Sequence, residues 1–194
     1  MLMRISLQAA VLAAAAIASA SCGDVVRSSR SPSMLVVDSL GSGTATTLSS
    51  DVADTTTAPC SVASPCVSAD MAEATLGVVM KDVTVSPTTN NQVTVSRYHV
   101  SYRRSDGRNT PGVDVPFGFD GAVTTTIPAN ASGTLTFQIV RQDAKLEQPL
   151  VQLRQNSTVI SAIADVTFYG ADQVGNDLSV TGSVLINFGN FSDK

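Results

Sequence analysis

Residues Val159–Phe191, VISAIADVTFYGADQVGNDLSVTGSVLINFGNF, constrain the fold more than any other stretch, because apolar and polar residues alternate in two long runs. Ile160, Ala162, Ala164, Val166 and Phe168 fall on one side of an extended strand. Leu178, Val180, Val184, Ile186 and Phe188 repeat the pattern after a polar break at Ala171–Asp177. A period of two on both sides of a Gly/Asn/Asp break predicts a β-hairpin. Such a hairpin does not stand alone in water, so the rest of the chain has to cover its apolar face. The 194 residues allow one domain with accessory segments. With 43% apolar and 14% charged residues there is enough apolar surface for a core. Aromatics are 5% with no Trp, so Val, Ile, Leu and Ala must fill that core, and the β-branched bias favours strands.

The preceding segments read the same way. Met34–Leu40 is a short β-rich run between Pro32 and Gly41, the expected first strand. Residues 41–70 turn to Ser, Thr, Ala and Pro and read as a long mobile loop. Ala72–Val85 alternates and then shifts phase, which predicts a strand with a bulge near Lys81–Asp82. Val93–Arg104 shifts phase in the same manner, predicting a bulge near Ser96–Arg97. Asp106-Gly107 is a turn signal, and Val113–Phe119, broken by Pro111 and Pro116, is expected as an edge or irregular strand. Ala122–Ile127 and Thr134–Arg141 follow as strands, the second with Leu135, Phe137 and Ile139 inward. Gln142–Asn156 is polar and ambiguous, with a short strand at Leu150–Leu153 as one option.

Seven or eight short strands without a convincing helix point to an all-β, antiparallel sandwich. Over Met34 and Met71–Phe191 the order and spacing resemble immunoglobulin-like and fibronectin type III-like domains. Tyr169, Ala171, Asp172, Gly175 and Asn176 resemble the Y-x-A-x-D-x-x-G-N turn of bacterial Ig-like domains, with Gly170 and Gln173 at variable places. The inter-sheet Cys pair and packing Trp of antibody domains are missing, so the resemblance implies the sandwich alone and no catalytic residues.

The N-terminus reads as an address. Met1–Ser6 carries Arg4, Leu7–Ile17 is apolar, and Ala18-Ser19-Ala20-Ser21 leads to Cys22, the layout of a secretory signal peptide over residues 1–21. The apolar run is short of the ~20 residues a membrane helix needs. Ser19-Ala20-Ser21-Cys22 resembles the lipobox of bacterial lipoproteins, departing from it at Ser19, where Leu is usual. That resemblance implies a diacylated Cys22, a palmitate-bearing anchor and an outer-membrane destination, Asp being absent from the position after Cys22. Ordinary cleavage after Ala20 is the competing route, giving a secreted or periplasmic protein that starts at Ser21. Lipidation of Cys22 leaves Cys60 and Cys66 as an even pair. Residues 22–33 then read as a tether, with the sandwich over 34–194. Eleven extended residues reach about 35 Å, which keeps the domain near the lipid.

Candidate sites are few. Cys60 and Cys66 can close a small ring as a local staple worth about 2 kcal/mol. A zinc site lacks further ligands in a chain with one His, and the spacing is not that of a redox CxxC. His99 lies in the polar phase of its strand and reads as solvated. Asp172, Asn176 and Asp177 are a weak Ca²⁺ candidate, since Asx side chains also stabilise turns by bonding their own backbone. Arg97, Arg103, Arg104 and Arg108 form a basic strip in sequence beside Tyr98 and Tyr102, suited to an anionic glycan or acidic surface. Phe117 and Phe119 in the loop Asp106–Phe119 offer an apolar contact or a cap on the sandwich end. The net charge of −4 and scattered Arg argue against nucleic acid.

The expectation is therefore a non-catalytic, membrane-anchored envelope protein that binds or assembles, without cofactor or metal. Its partners would be the membrane through Cys22 and an envelope protein or glycan. Two other classes stay open. One is a hydrolase of envelope polysaccharide using Asp114, Asp120 and Asp165, which would have to gather about 5–10 Å apart in a cleft. The other is a structural subunit whose edge near Val113–Phe119 accepts a neighbour's strand.

Overall fold

The computed structural model describes residues 30–42, 45, 47–61 and 63–191. Eight strands lie among them: β1 Ser33–Gly41, β2 Thr47–Asp51, β3 Asp70–Met80, β4 Val93–Arg103, β5 Phe119–Ile127, β6 Ala131–Val140, β7 Ile160–Asp172 and β8 Asp177–Gly189. Cys22 and residues 1–21, expected as a signal peptide, lie outside the described residues.

The alternating runs at the C-terminus form the predicted hairpin, β7 against β8, in unbroken register from Ile160↔Phe188 to Ala171↔Asp177. Gly175 takes φ +84° in the turn, a conformation that suits glycine. Because successive side chains alternate faces, one face of the hairpin buries Ile160, Ala162, Ala164, Val166, Phe168, Val184, Ile186 and Phe188. β4 pairs with the other side of β7, β5 lies beyond β4, and β2 runs parallel along β8, giving the order β2-β8-β7-β4-β5. The second sheet has the order β1-β3-β6 and is antiparallel throughout. Packed face to face, the two sheets make an all-β sandwich, antiparallel except for the β2–β8 pairing.

The core is aliphatic, as the composition requires, with a few aromatics at its centre. Leu76 and Val78 of β3 and Ile139 of β6 face Val95, Val100, Val166 and Ile186 of the larger sheet. Phe137 sits edge-on to Tyr98 and Phe168, with ring centroids 5.0 and 5.3 Å apart, the geometry that ring quadrupoles favour.

Several sequence expectations change. The segment expected as one loop over 41–70 contributes β2 and the buried Leu48, Val52 and Ala53. Its apolar residues are too few and short-spaced to show a period, yet the edge of β8 recruits them. The phase shift near Lys81–Asp82 is the end of β3: Val83 is 92% exposed in the turn that follows. The shift in β4 is a true irregularity, placed between Val95 and Arg97 in its pairing with both neighbours. Residues 112–114 turn between a single bridge of Pro111 with Val115, residues 116–118 are irregular, and β5 begins only at Phe119. Leu150–Leu153 lies not in a strand but largely in a short 3-10 turn, Val151–Gln155, preceded by another at Asp143–Leu146.

Candidate functional site

β4 leaves the sheet at Arg103, and the chain returns as β5 only at Phe119, so a long loop stands at one end of the sandwich. Its first half is organised by Asp106, whose carboxylate accepts from the guanidinium groups of both Arg104 and Arg108 and from the Arg108 N–H. Those bonds hold the Asp106 carboxyl far below its ordinary value, Arg104 contributing most. Asn109 accepts from the Arg104 N–H at 2.6 Å. The second half is knotted by Asp114, which accepts from the Thr110 N–H while its own N–H donates to the Thr110 carbonyl. Val115 is buried and anchors the tip to the core. Gly112 takes φ +75° with the Phe117 ring directly on it, so no side chain fits there.

This frame turns two apolar side chains outward: Val113 is 65% exposed and Phe117 48%. Phe119 is different. It packs edge-on to Tyr98 with Arg141 over its face, half-buried at the base of the loop. Of the two candidate rings, one is therefore presented and one serves as a cap.

The basic strip does not come together. Tyr98 and Tyr102 face the core while Arg97 and Arg103 lie on the opposite, exposed face of β4, and Arg104, largely covered, and the exposed Arg108 belong to the following loop. Each arginine also meets an aspartate. Arg97 pairs with Asp120 at 3.1 Å and lies 4.0 Å over the Tyr169 ring. Arg103 pairs with Asp165 at 2.6 Å, and Arg104 and Arg108 share Asp106. Sequence spacing alone could not show this, because the acids come from β5, β7 and the loop.

The carboxylates considered for hydrolysis are engaged in the same way. Asp120 faces Arg97 and, at 3.3 Å, the Nδ1 of His99. Asp165 accepts from Arg103 and Ser183. Burial alone would raise the Asp165 pKa, but those two bonds and the Arg103 charge outweigh it and leave it lowered. Asp114 belongs to the loop knot described above.

At the β7–β8 turn Asp172 is buried and accepts from the N–H groups of Val174 and Asn176 and from the Asn176 side chain. Both of its oxygens are thus occupied by turn donors, and Asp177 starts β8 on the exposed side. No group of three or more His, Cys, Asp or Glu that could hold a metal occurs among the described residues. Cys60 and Cys66 are joined by a disulfide with Cα atoms 5.3 Å apart.

Lys145 carries no mark in its sequence context. It is 1% exposed, and its ammonium donates to Asp70 and to the Asp51 carbonyl, each at 2.8 Å. Close by, a cleft of about 350 Å³ opens between β2 and β3, with Ser50 and Asp70 on its wall and Ile139 and Ile186 among its apolar lining. A lysine in a polar stretch carries no burial signal, so only the fold could reveal it.

Comparison with known proteins adds little. No protein-family model and no curated protein matches the chain. Among solved structures, the X-ray structure of Northeast Structural Genomics Consortium target SoR45 aligns over 80% of this chain and 86% of its own, at 11% identity and a TM-score of 0.37. A likeness of that size carries no argument about function.

Proposed function

We propose that the protein is a lipid-anchored envelope lipoprotein that docks a partner protein through the β4–β5 loop and carries out no chemistry of its own. The observation behind this reading is the build of the loop. Its backbone is held by bonds within the loop, yet Val113 and Phe117 point to solvent. A flexible linker would expose apolar side chains at random. A loop ordered in advance loses less entropy on binding, and aromatic anchors carry much of the energy of protein contacts. Asp106 with its two arginines supplies a charged margin beside the apolar tip, the arrangement of an apolar centre and polar rim.

Anchoring through Cys22 fits the signal peptide and its small-residue exit, and the short segment before β1 would hold the loop within reach of neighbours in the same membrane. Hydrolysis is the weaker reading, because Asp120 and Asp165 are each tied to an arginine and Asp114 to backbone. Metabolic labelling with a palmitate analogue tests the anchor. Label should enter the native protein in the membrane fraction, and Cys22→Ser should be unlabelled and released. An unmodified mature terminus at Ser21 would remove the anchoring half of the proposal and leave the docking half standing.

A further inference from the structure

β6 is the outermost strand of the three-stranded sheet and is hydrogen-bonded to β3 along one side only. Natural edge strands are blunted by charge, proline, bulges or shortness, since an open edge is a template for another strand. Over residues 131–138 β6 has none of these, and its pairing shifts only at the far end, where Ile139 is passed over between Met71↔Gln138 and Asp70↔Val140. Ala131–Val140 contains no charged residue and no proline, and its register runs unshifted from Met71↔Gln138 to Val78↔Ala131. The other outer strands are each interrupted. β1 shifts register around Asp38, β2 has five residues and ends in Asp51, and the pairing of β5 with β4 shifts at Val95/Arg97.

We propose that β6 pairs antiparallel with β6 of a second copy of this chain across a two-fold axis at Leu135, joining two three-stranded sheets into one of six strands. The strand's own sequence supports the register. Its first half is small, Ala131, Ser132 and Gly133, and its second half is large, with Leu135, Phe137 and Ile139 inward. About an axis at Leu135, Gly133 stands opposite the partner's Phe137 and Ala131 opposite the partner's Ile139. On the outer face Thr134 stands opposite the partner's Thr136. That extends the hydroxyl row in which Thr75 and Thr134 are already bonded at 3.1 Å. A slip of one residue would set inward Leu135 against outward threonine, which the pleat forbids. Tyr102 occupies the Ile139 carbonyl from inside the sandwich, so the paired centre is Gly133–Phe137.

Electrostatics do not oppose the contact although the chain carries −4. On the outer face Asp38 accepts from the Ser132 hydroxyl of β6 at 2.6 Å, and Glu73 lies beside Thr136 on β3. In the paired register Ser132 stands opposite the partner's Gln138, six residues along the strand from the partner's Ser132, which sets the two Asp38 carboxylates about 20 Å apart. Two copies of Glu73 would be three strand spacings apart, about 14 Å, beyond the screening length of about 8 Å at physiological salt. The pairing is independent of the loop contact and of the anchor.

The test uses cysteine pairs in the full chain, in a Cys22→Ser background so that no other thiol competes. Opposite side chains lie about 5 Å apart and diagonal ones 7–8 Å. A mixture of Thr134→Cys and Thr136→Cys should therefore form a disulfide-linked dimer about tenfold faster than Thr136→Cys alone. Sedimentation of the full chain should show a dimer, and Thr134→Lys with Thr136→Lys should leave a monomer that melts within about 2 °C of the parent. A monomer in the unsubstituted chain, or a dimer whose cross-linking ignores the 134/136 register, overturns the proposal.

Discussion

The hydroxyl of Tyr102 on β4 crosses the core and donates a hydrogen bond to the carbonyl oxygen of Ile139 on β6, at 2.5 Å. It is a polar tie between two sheets that otherwise meet mainly through aliphatic side chains and the edge-on rings of Tyr98, Phe137 and Phe168. Ile139 lies beyond the regular β3 pairing, next to the register shift at Asp70/Met71, so its carbonyl needs another donor. Burial pushes the Tyr102 phenol far above its ordinary pKa, and it stays a neutral donor at any physiological pH. Tyr102→Phe keeps the ring but orphans a buried carbonyl. The expected cost is about 1–3 kcal/mol in denaturant unfolding.

Lys145 and Asp70 form the second polar tie, where the Asp143–Leu146 turn covers the ends of β2 and β3. Breaking a buried pair costs more than the pair itself contributes, because a charge is left without a partner. Asp70→Ala should therefore destabilise by about 3–5 kcal/mol, and Lys145→Met, which fills the space with no charge, by less. Equal losses in thermal unfolding would show that Lys145 reaches solvent.

The β7–β8 hairpin gives a contrast between positions. Val166 and Ile186 have no solvent exposure, so Val166→Asp or Ile186→Asp buries an unpaired charge and should abolish cooperative unfolding. Val83→Asp, in the exposed turn after β3, should change stability by no more than about 0.5 kcal/mol.

Asp172 links this hairpin to pH. Burial alone would raise its pKa, but bonds from the Asn176 side chain and backbone, then Ser31 and Val174, outweigh it and leave it lowered. A depressed carboxylate contributes stability above its unfolded value, and that stability is lost as pH falls through the folded value. The loss should begin near pH 4 and deepen below it. Asp172→Asn should flatten this part of the pH profile, and Asp172→Ala, which orphans those four donors, should cost about 1–3 kcal/mol at neutral pH.

What the sequence revealed followed one physical signal. Wherever a strand had one wet and one dry face, as in β7, β8, the middle of β3 and the inward set Leu135, Phe137 and Ile139, alternation marked both element and orientation. β2 was hidden because its five residues, TLSSD, take their extended form from β8 and not from their own pattern. The 3-10 turns around Lys145 were hidden because a buried charge looks like a solvated one in sequence. The same limit applied to the arginines. Their pairing depends on which acids the topology sets beside them, and Asp120 and Asp165 come from other strands. The loop tip was legible as a Gly/Pro-punctuated segment with two rings, but only packing separates the presented Phe117 from the capping Phe119.

The central claim is that the β4–β5 loop tip is a docking surface, and site-specific photo-cross-linking in living cells tests it most directly. A photoreactive residue in place of Phe117 should give one discrete adduct with an envelope protein. The same residue at Val83, which is more exposed, should give none. Adding Val113→Asp should abolish the Phe117 adduct without altering folding. Equal and diffuse cross-linking from positions 83 and 117, or none from 117, would contradict the account.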